Sequence, residues 1–384
     1  MKKVIPYGRQ WITAADIAAV KSVLSSDYLT QGPKVQQFEE AFAHYVGSRY
    51  AVAVSSGTAA LHLSALALGV NAQSRVISTP FTFVATANCV TYCGGQVDFA
   101  DIDPHTGIMQ PEAAERLLRQ APAGTYQGLI VVDYAGYPAD MEAFRRLANR
   151  YNLWLLQDAA HATGGYFHDS QGRLHRCGNG RYAELTTFSF HPVKHIACGE
   201  GGMITTNDEA LYRKLMQLRT HGITKERSRL QQWHGPWYYE MQQLGYNYRL
   251  SDIHAALGLS QLARMEEALQ RRRAIARRYD EAFRGTHIRP LKGAQGHAWH
   301  LYVVRVPGRK AAFEYMRAHN IFVQVHYIPV YLQPYYRERL PAPAAFPGSE
   351  ELYGACFSLP IYPTLTAEEQ TYVIEKLLSF NERI

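Results

Sequence analysis

The sequence predicts an α/β protein: a parallel sheet covered by helices on both faces, followed by a smaller α+β domain. Three observations carry this. Between residues 50 and 206 short apolar strands alternate with helices, the pattern of a sheet buried on both sides. After a helix starting near Asp208 the chain turns aromatic and glycine-punctuated in "WHGPWYYEMQQLGYNYRLSD", and a basic helix follows. With 384 residues, 47% of them hydrophobic and 19% charged, the chain can build two cores. The expected division is a large domain over 1–245 and a small one over 246–384.

In order, Thr13 and Asp16 have the spacing of a capping box that opens a helix over about 14–25. "TQGP" punctuates, and Val35, Phe38, Phe42 and Tyr45 mark a second helix that stops at Gly47. "YAVAVSS", "RVIST", "QVDFADI", "GLIVVDYAG", "LWLLQDAA", "LTTFSFH" and "MITTN" read as strands; "GTAALHLSALALG", "FVATANCVTYC" and "DMEAFRRLANRY" read as helices. Residues 168–182 predict a flexible insertion. Leu262, Met265, Leu269, Ala276, Tyr279 and Phe283 fall on one face of a single helix, with the arginines of "RRRAIARRYDEAFR" on its solvated side. A strand "HLYVVRV", a helix over about 311–319, a strand "FVQVHYI" and a helix opened by Thr366 and Glu369 complete the chain.

The net charge of +7 would suit a nucleic acid only if gathered on one face, and the densest basic run belongs to that helix. Small anions, not nucleic acid, are the expected partners. Cysteines 89, 93, 177, 198 and 356 are scattered without a Cys-x-x-Cys, so neither a disulfide framework nor a zinc site is expected. No apolar run approaches the ~18 residues of a membrane span. The expectation is a soluble, reduced, cytoplasmic protein.

Three positions carry chemistry. In "SSGTAALHL" a strand runs into a helix at Gly57 and Thr58, whose free N–H groups favour a phosphate, though an ordinary capped helix has the same look. Asp158 ends an apolar strand, where a ligand crevice is expected, or else it caps the next turn. Lys194 in "SFHPVKHIACGEGG" lies between an aromatic strand with Ser189 and a glycine-rich exit; a desolvated amine there would be neutral and nucleophilic, whereas a turn lysine would be solvated. Together they suit pyridoxal phosphate, which needs an anion cradle, a carboxylate at its ring nitrogen, a flat contact and a lysine. Phe83 in "PFTFVATAN" is either that flat contact or a core residue.

The ordered set "SSGTAALHL", "PFTFVATAN", "QDAAHA", "SFHPVK", "GEGGMITTN", "LGYNYRLSD" and "ALGLSQL" resembles the DegT/DnrJ-like family of pyridoxal-phosphate-dependent sugar aminotransferases over nearly the whole chain. The resemblance implies an aspartate-aminotransferase-type fold (fold type I) with a mostly parallel seven-stranded sheet, and a homodimer with shared active sites. It implies that Lys194 is the Schiff-base lysine, that Asp158 partners the pyridine nitrogen and that Phe83 stacks on the ring. Gly57, Thr58 and Ser189 match phosphate contacts, and Asn247 a contact from the other subunit. His161 stands where many relatives have glutamine, and His195 where proline is expected.

Within the family, "WYYEMQQLGYNYRLSDI", "VQVHYIPVYLQPYY" and "CFSLPIYPTLT" are most similar to transaminases of pseudaminic acid synthesis. That similarity implies a UDP-linked 4-keto-6-deoxy-2-acetamido sugar of L-arabino configuration and L-glutamate as amino donor. Tyr7, Thr30, His326 and Tyr327 are the matching sugar or diphosphate contacts. Aminotransferases for D-configured UDP sugars or GDP sugars share the same cofactor motifs. A sugar dehydratase would have histidine in place of Lys194, and a DNA-binding pyridoxal-phosphate regulator would need a further helix-turn-helix module.

Overall fold

The computed structural model describes residues 4–339 and 345–381. Seven strands form the central sheet: β1 (Tyr50–Val54), β2 (Arg75–Ser78), β3 (Gln96–Phe99), β4 (Gly128–Val132), β5 (Trp154–Asp158), β6 (Leu185–Ser189) and β7 (Gly202–Thr206). Their spatial order is β1-β7-β6-β5-β4-β2-β3, parallel throughout except for β7, which runs antiparallel to both neighbours. The seven-stranded, mostly parallel sheet is therefore as expected.

Apolar residues on successive positions of a strand face opposite layers, because side chains alternate along a strand. Leu156 packs with Ile130 and Ile204 against helices α3 (Gly57–Ala67), α4 (Ala85–Tyr92) and α7 (Glu209–Leu218). Leu155 and Leu129 face α5 (Pro111–Gln120) and α6 (Met141–Tyr151). At the other end of that second face, Phe188 and Met203 meet α2 (Pro33–Val46) and α8 (Asp252–Leu262). Helix α1 (Ala14–Leu24) opens with the expected capping box, Thr13 and Asp16 answering one another.

A separate core surrounds a three-stranded antiparallel sheet, Arg289–Pro290, Tyr302–Arg305 and Cys356–Leu359, with α9 (Met265–Phe283), α10 (Arg309–Ala318) and the last helix, Ala367–Asn381. Ile5 belongs to this core as well, since Ile5–Pro6 pairs with Ile321–Phe322. Thr366 and Glu369 exchange the two bonds of a capping box.

Four sequence expectations need correction. The single basic helix is two helices, broken at Ala263 and Arg264, where the Arg264 guanidinium turns to Asp16 and the Trp11 carbonyl. Its arginines are not all solvated: Arg272 is 1% exposed and gives its N–H groups to backbone carbonyls. Residues 168–182 are not a loose insertion, because Tyr166–His168 and Leu174–Arg176 form a hairpin whose turn is tied to the Asp169 carboxylate. Finally, "FVQVHYI" keeps only Phe322 in a strand, the end of Ile321–Phe322, and adds a single bridge from Gln324 to Ser358. Beyond it the His326 carbonyl accepts from Tyr134 Oη and the His326 ring meets Ser358 Oγ at 2.9 Å, which diverts the chain into a cavity.

All five cysteines are free. Among the described residues no helix is long and apolar enough to cross a membrane.

Candidate active site

The cavity lies at the carboxyl ends of β1, β5 and β6, where parallel sheets receive ligands, and has a volume of about 380 Å³. The turn after β1 delivers the start of α3 to its wall. There Ser56 Oγ caps the helix by accepting from Ala59 N at 3.0 Å, which leaves the first-turn N–H groups of Gly57 and Thr58 for a ligand. A Cβ on Gly57 would stand 2.8 Å from the Ser189 Cβ, so only glycine lets the helix start come this close to β6. Gly202 has the same explanation: its Cβ would be 2.4 Å from the Ser56 carbonyl oxygen.

Asp158 ends β5 and is 4% exposed. Thr86 Oγ1 donates to one carboxylate oxygen at 2.8 Å and Ala160 N to the other at 3.1 Å. Burial nevertheless raises its pKa, against those bonds and the attraction of Lys194.

The loop carrying Lys194 is closed by Cys198 N bonding to the Phe190 carbonyl and by Ala197 N bonding to Gln261 Oε1 of α8. Part of the lysine's surface opens on the cavity, but the walls around its amine keep bulk water away. This desolvation lowers the amine pKa to about 7, with Asp158 opposing the fall. A sizeable neutral fraction at neutral pH follows.

Phe83 is 54% exposed at the cavity edge, with its ring 5.7 Å from that of Tyr327. Tyr7, Ser189, His161, His326 and Tyr327 also line the cavity. His161 Nδ1 accepts from Ala135 N at 3.2 Å, so the neutral ring presents Nε2–H to Tyr327 Oη at 3.1 Å. Thr30 and Asn247 do not line this cavity. Both are exposed, Thr30 bridging to Ser251 and Asn247 to Thr220.

Two residues escaped sequence reasoning. Thr86 is the second residue of α4 and holds Asp158; His300 has Nε2 3.4 Å from Lys194 Nζ. His300 follows the tryptophan of "HAWHLY", and nothing in that string marks a neighbour more than a hundred residues upstream.

His161, His300 and His326 line the cavity as uncharged imidazoles, and His195 and His297 are buried outside its lining. Burial lowers the pKa of His161, His195 and His300 well below the ordinary value, and those of His297 and His326 to about 3. An unfolded histidine takes its proton at a pH of about 6.5. Between about pH 6.5 and 3 the unfolded chain therefore binds more protons, so stability complete above 6.5 is lost as pH falls. The thermal midpoint of the cofactor-free protein is expected to drop steeply over that window. His297→Phe should make the drop shallower, and an unchanged slope would refute the assignment.

Comparison with known proteins agrees with this geometry. PseC of Helicobacter pylori, an aminotransferase involved in the biosynthesis of pseudoaminic acid, superposes with a TM-score of 0.89 at 30% identity, covering 100% of both chains. Spr1654 from Streptococcus pneumoniae in its PLP form gives 0.88 at 28% identity, covering 99% of each. The spore coat polysaccharide biosynthesis protein SpsC of Bacillus subtilis is 39% identical over 382 residues, which is 97% of this chain and 95% of that protein. Residues 10–378 match one family description in a single span, and the chain belongs to the DegT/DnrJ/EryC1/StrS aminotransferase family.

Proposed function

We propose that the protein transfers an amino group from L-glutamate to carbon 4 of a UDP-linked 4-keto-6-deoxy-2-acetamido sugar of L-arabino configuration. The product would be UDP-4-amino-4,6-dideoxy-N-acetyl-β-L-altrosamine, made for pseudaminic acid. The observation that carries an aminotransferase reading is one cavity holding a desolvated lysine, a buried carboxylate and a helix start. The sugar is supported by the segments named above and by the likeness to PseC.

The residues present fit pyridoxal phosphate, the cofactor of this family. The cradle kept open by Gly57 would take its phosphate, with Thr58 and Ser189 beside it. When bound, the cofactor supplies an aldehyde for an amine and a ring that accepts the electron pair released at the reacting carbon. Asp158, held by Thr86 and Ala160, would keep a proton on the ring nitrogen, and this favourable charge would offset its burial. Phe83 would cover one face of the ring.

Lys194 acts twice. Its neutral fraction would hold the cofactor's aldehyde, and the same amine, when free, would carry the proton of the amino donor's α-carbon. Tyr327 Oη accepts from His161, so its own proton remains free to donate to the bound sugar. Tyr7 and His326 stand beside it, their rings 4.8 Å apart. In a homodimer the exposed Asn247 would reach the partner's phosphate site and Thr30 would serve the sugar across the interface.

The test converts the protein to its amine form with L-glutamate and then offers UDP-linked 4-keto-6-deoxy sugars of L-arabino and D-xylo configuration. The visible band is expected to return with the L-arabino sugar alone. Return with the D-xylo sugar alone would overturn the choice of sugar, and absence of any such band would overturn the aminotransferase reading.

A further inference from the structure

His300 is 4% exposed and lies between Lys194 and His161, its ring centroid 4.4 Å from that of His161. The other buried histidines near the lysine each have at least one ring nitrogen committed elsewhere. His161 is fixed by Ala135 N, His195 Nε2 donates to the Ala298 carbonyl at 2.8 Å, and His326 Nδ1 meets Ser358 Oγ. His300 differs in that Nε2 faces the lysine amine; its Nδ1, like that of His195, is buried with no hydrogen-bond partner among the described residues. No group on the far side selects its tautomer. Its backbone, in contrast, is fixed, because Arg272 Nη1 donates to the carbonyls of Trp299 at 3.1 Å and of Ile361 at 2.9 Å, with the His300 carbonyl at 3.4 Å.

We propose that His300 is a positioning residue for Lys194: its Nε2 accepts one N–H of the amine and turns the amine's remaining positions toward the cavity. An amine has an N–H to give in either charge state, so one acceptor can hold it before and after proton transfer. The inference rests on the proposed role of Lys194. Around the pair stand Asp158 at the end of β5, His161 in the turn after it, His195 in the lysine's own loop, His326 and Tyr327 in the segment after Phe322, and the Arg272 guanidinium of α9. Asp158 favours the charged amine and Arg272 disfavours a charged imidazole, so the proton belongs to the lysine rather than to His300.

The sign of the effect follows. An acceptor stabilises an ammonium more than an amine, so removing it lowers the lysine pKa. In cofactor-free protein, the rate of reductive methylation at Lys194 is followed against pH by peptide mass spectrometry for wild type, His300→Phe, His300→Asn and His300→Gln. The apparent pKa is expected to fall by about one unit in the Phe and Asn variants and to be restored in Gln, whose amide oxygen can reach the amine. Should the Phe variant fail to fold, the Asn variant decides. In the loaded enzyme the same two variants should lose about tenfold in kcat, with KM for the amino donor little changed. Lys194 titrating as in wild type in the folded variants overturns the proposal. Wild-type protein that binds no pyridoxal phosphate overturns the functional reading alone, because the titration is made without cofactor.

Discussion

Lys194→Ala protein is expected to lose about 10⁴-fold or more in kcat while keeping its fold. The proposed role gives the amine two duties on one cavity wall, bonding an aldehyde and moving a proton, and among the described residues no other lysine lines that cavity to replace it. Borohydride treatment in the presence of pyridoxal phosphate should fix the cofactor to the peptide containing residue 194 in wild type and to no peptide in the variant. Labelling elsewhere in wild type would sink the assignment. Lys194→Arg should be as inactive as Ala, since a guanidinium stays protonated at any working pH.

Asp158→Asn should cost about 10³-fold in kcat, because an amide cannot hold a proton on the ring nitrogen and the charge developing at the reacting carbon loses its sink. The fold should respond differently. Burial raises the Asp158 pKa, so the ionised form is a burden on the cofactor-free protein that grows as pH rises through the folded value. The amide removes that burden and retains an acceptor for Thr86. Calorimetry of the cofactor-free variant at about pH 8 should therefore show a thermal midpoint no lower than wild type's. A lower midpoint with unchanged kcat would reverse the roles, making Asp158 a structural residue.

The sheet was legible because its strands are short, apolar and separated by helices with clear starts. Asp158 and Lys194 were legible because they interrupt apolar or aromatic strand ends with a charge. Gly57 and Gly202 were read as features of a helix start and a turn, but their closest contacts are with Ser189 and Ser56, which pairing within the sheet brings near. The failures have a common cause. Periodicity places a residue on a face of its own element and is blind to partners from elsewhere: Arg272 follows the polar stripe of α9 yet is buried under carbonyls from two later loops. His300 was invisible for the same reason. The break at Arg264 depends on Asp16, which is remote in the chain, and the 168–182 hairpin depends on how many donors Asp169 collects.

Arg272 also limits how the molecule can move. Its guanidinium fastens α9 to the segments holding His300 and Ile361, and α9 contributes Ile275, Tyr279 and Phe283 to the second core. A hinge cannot open between that core and His300 without tearing a buried cation from its acceptors. Any swing of the smaller layer on substrate arrival must therefore carry the imidazole with it, and the lysine would feel the displacement directly, through a rigid lever rather than through solvent.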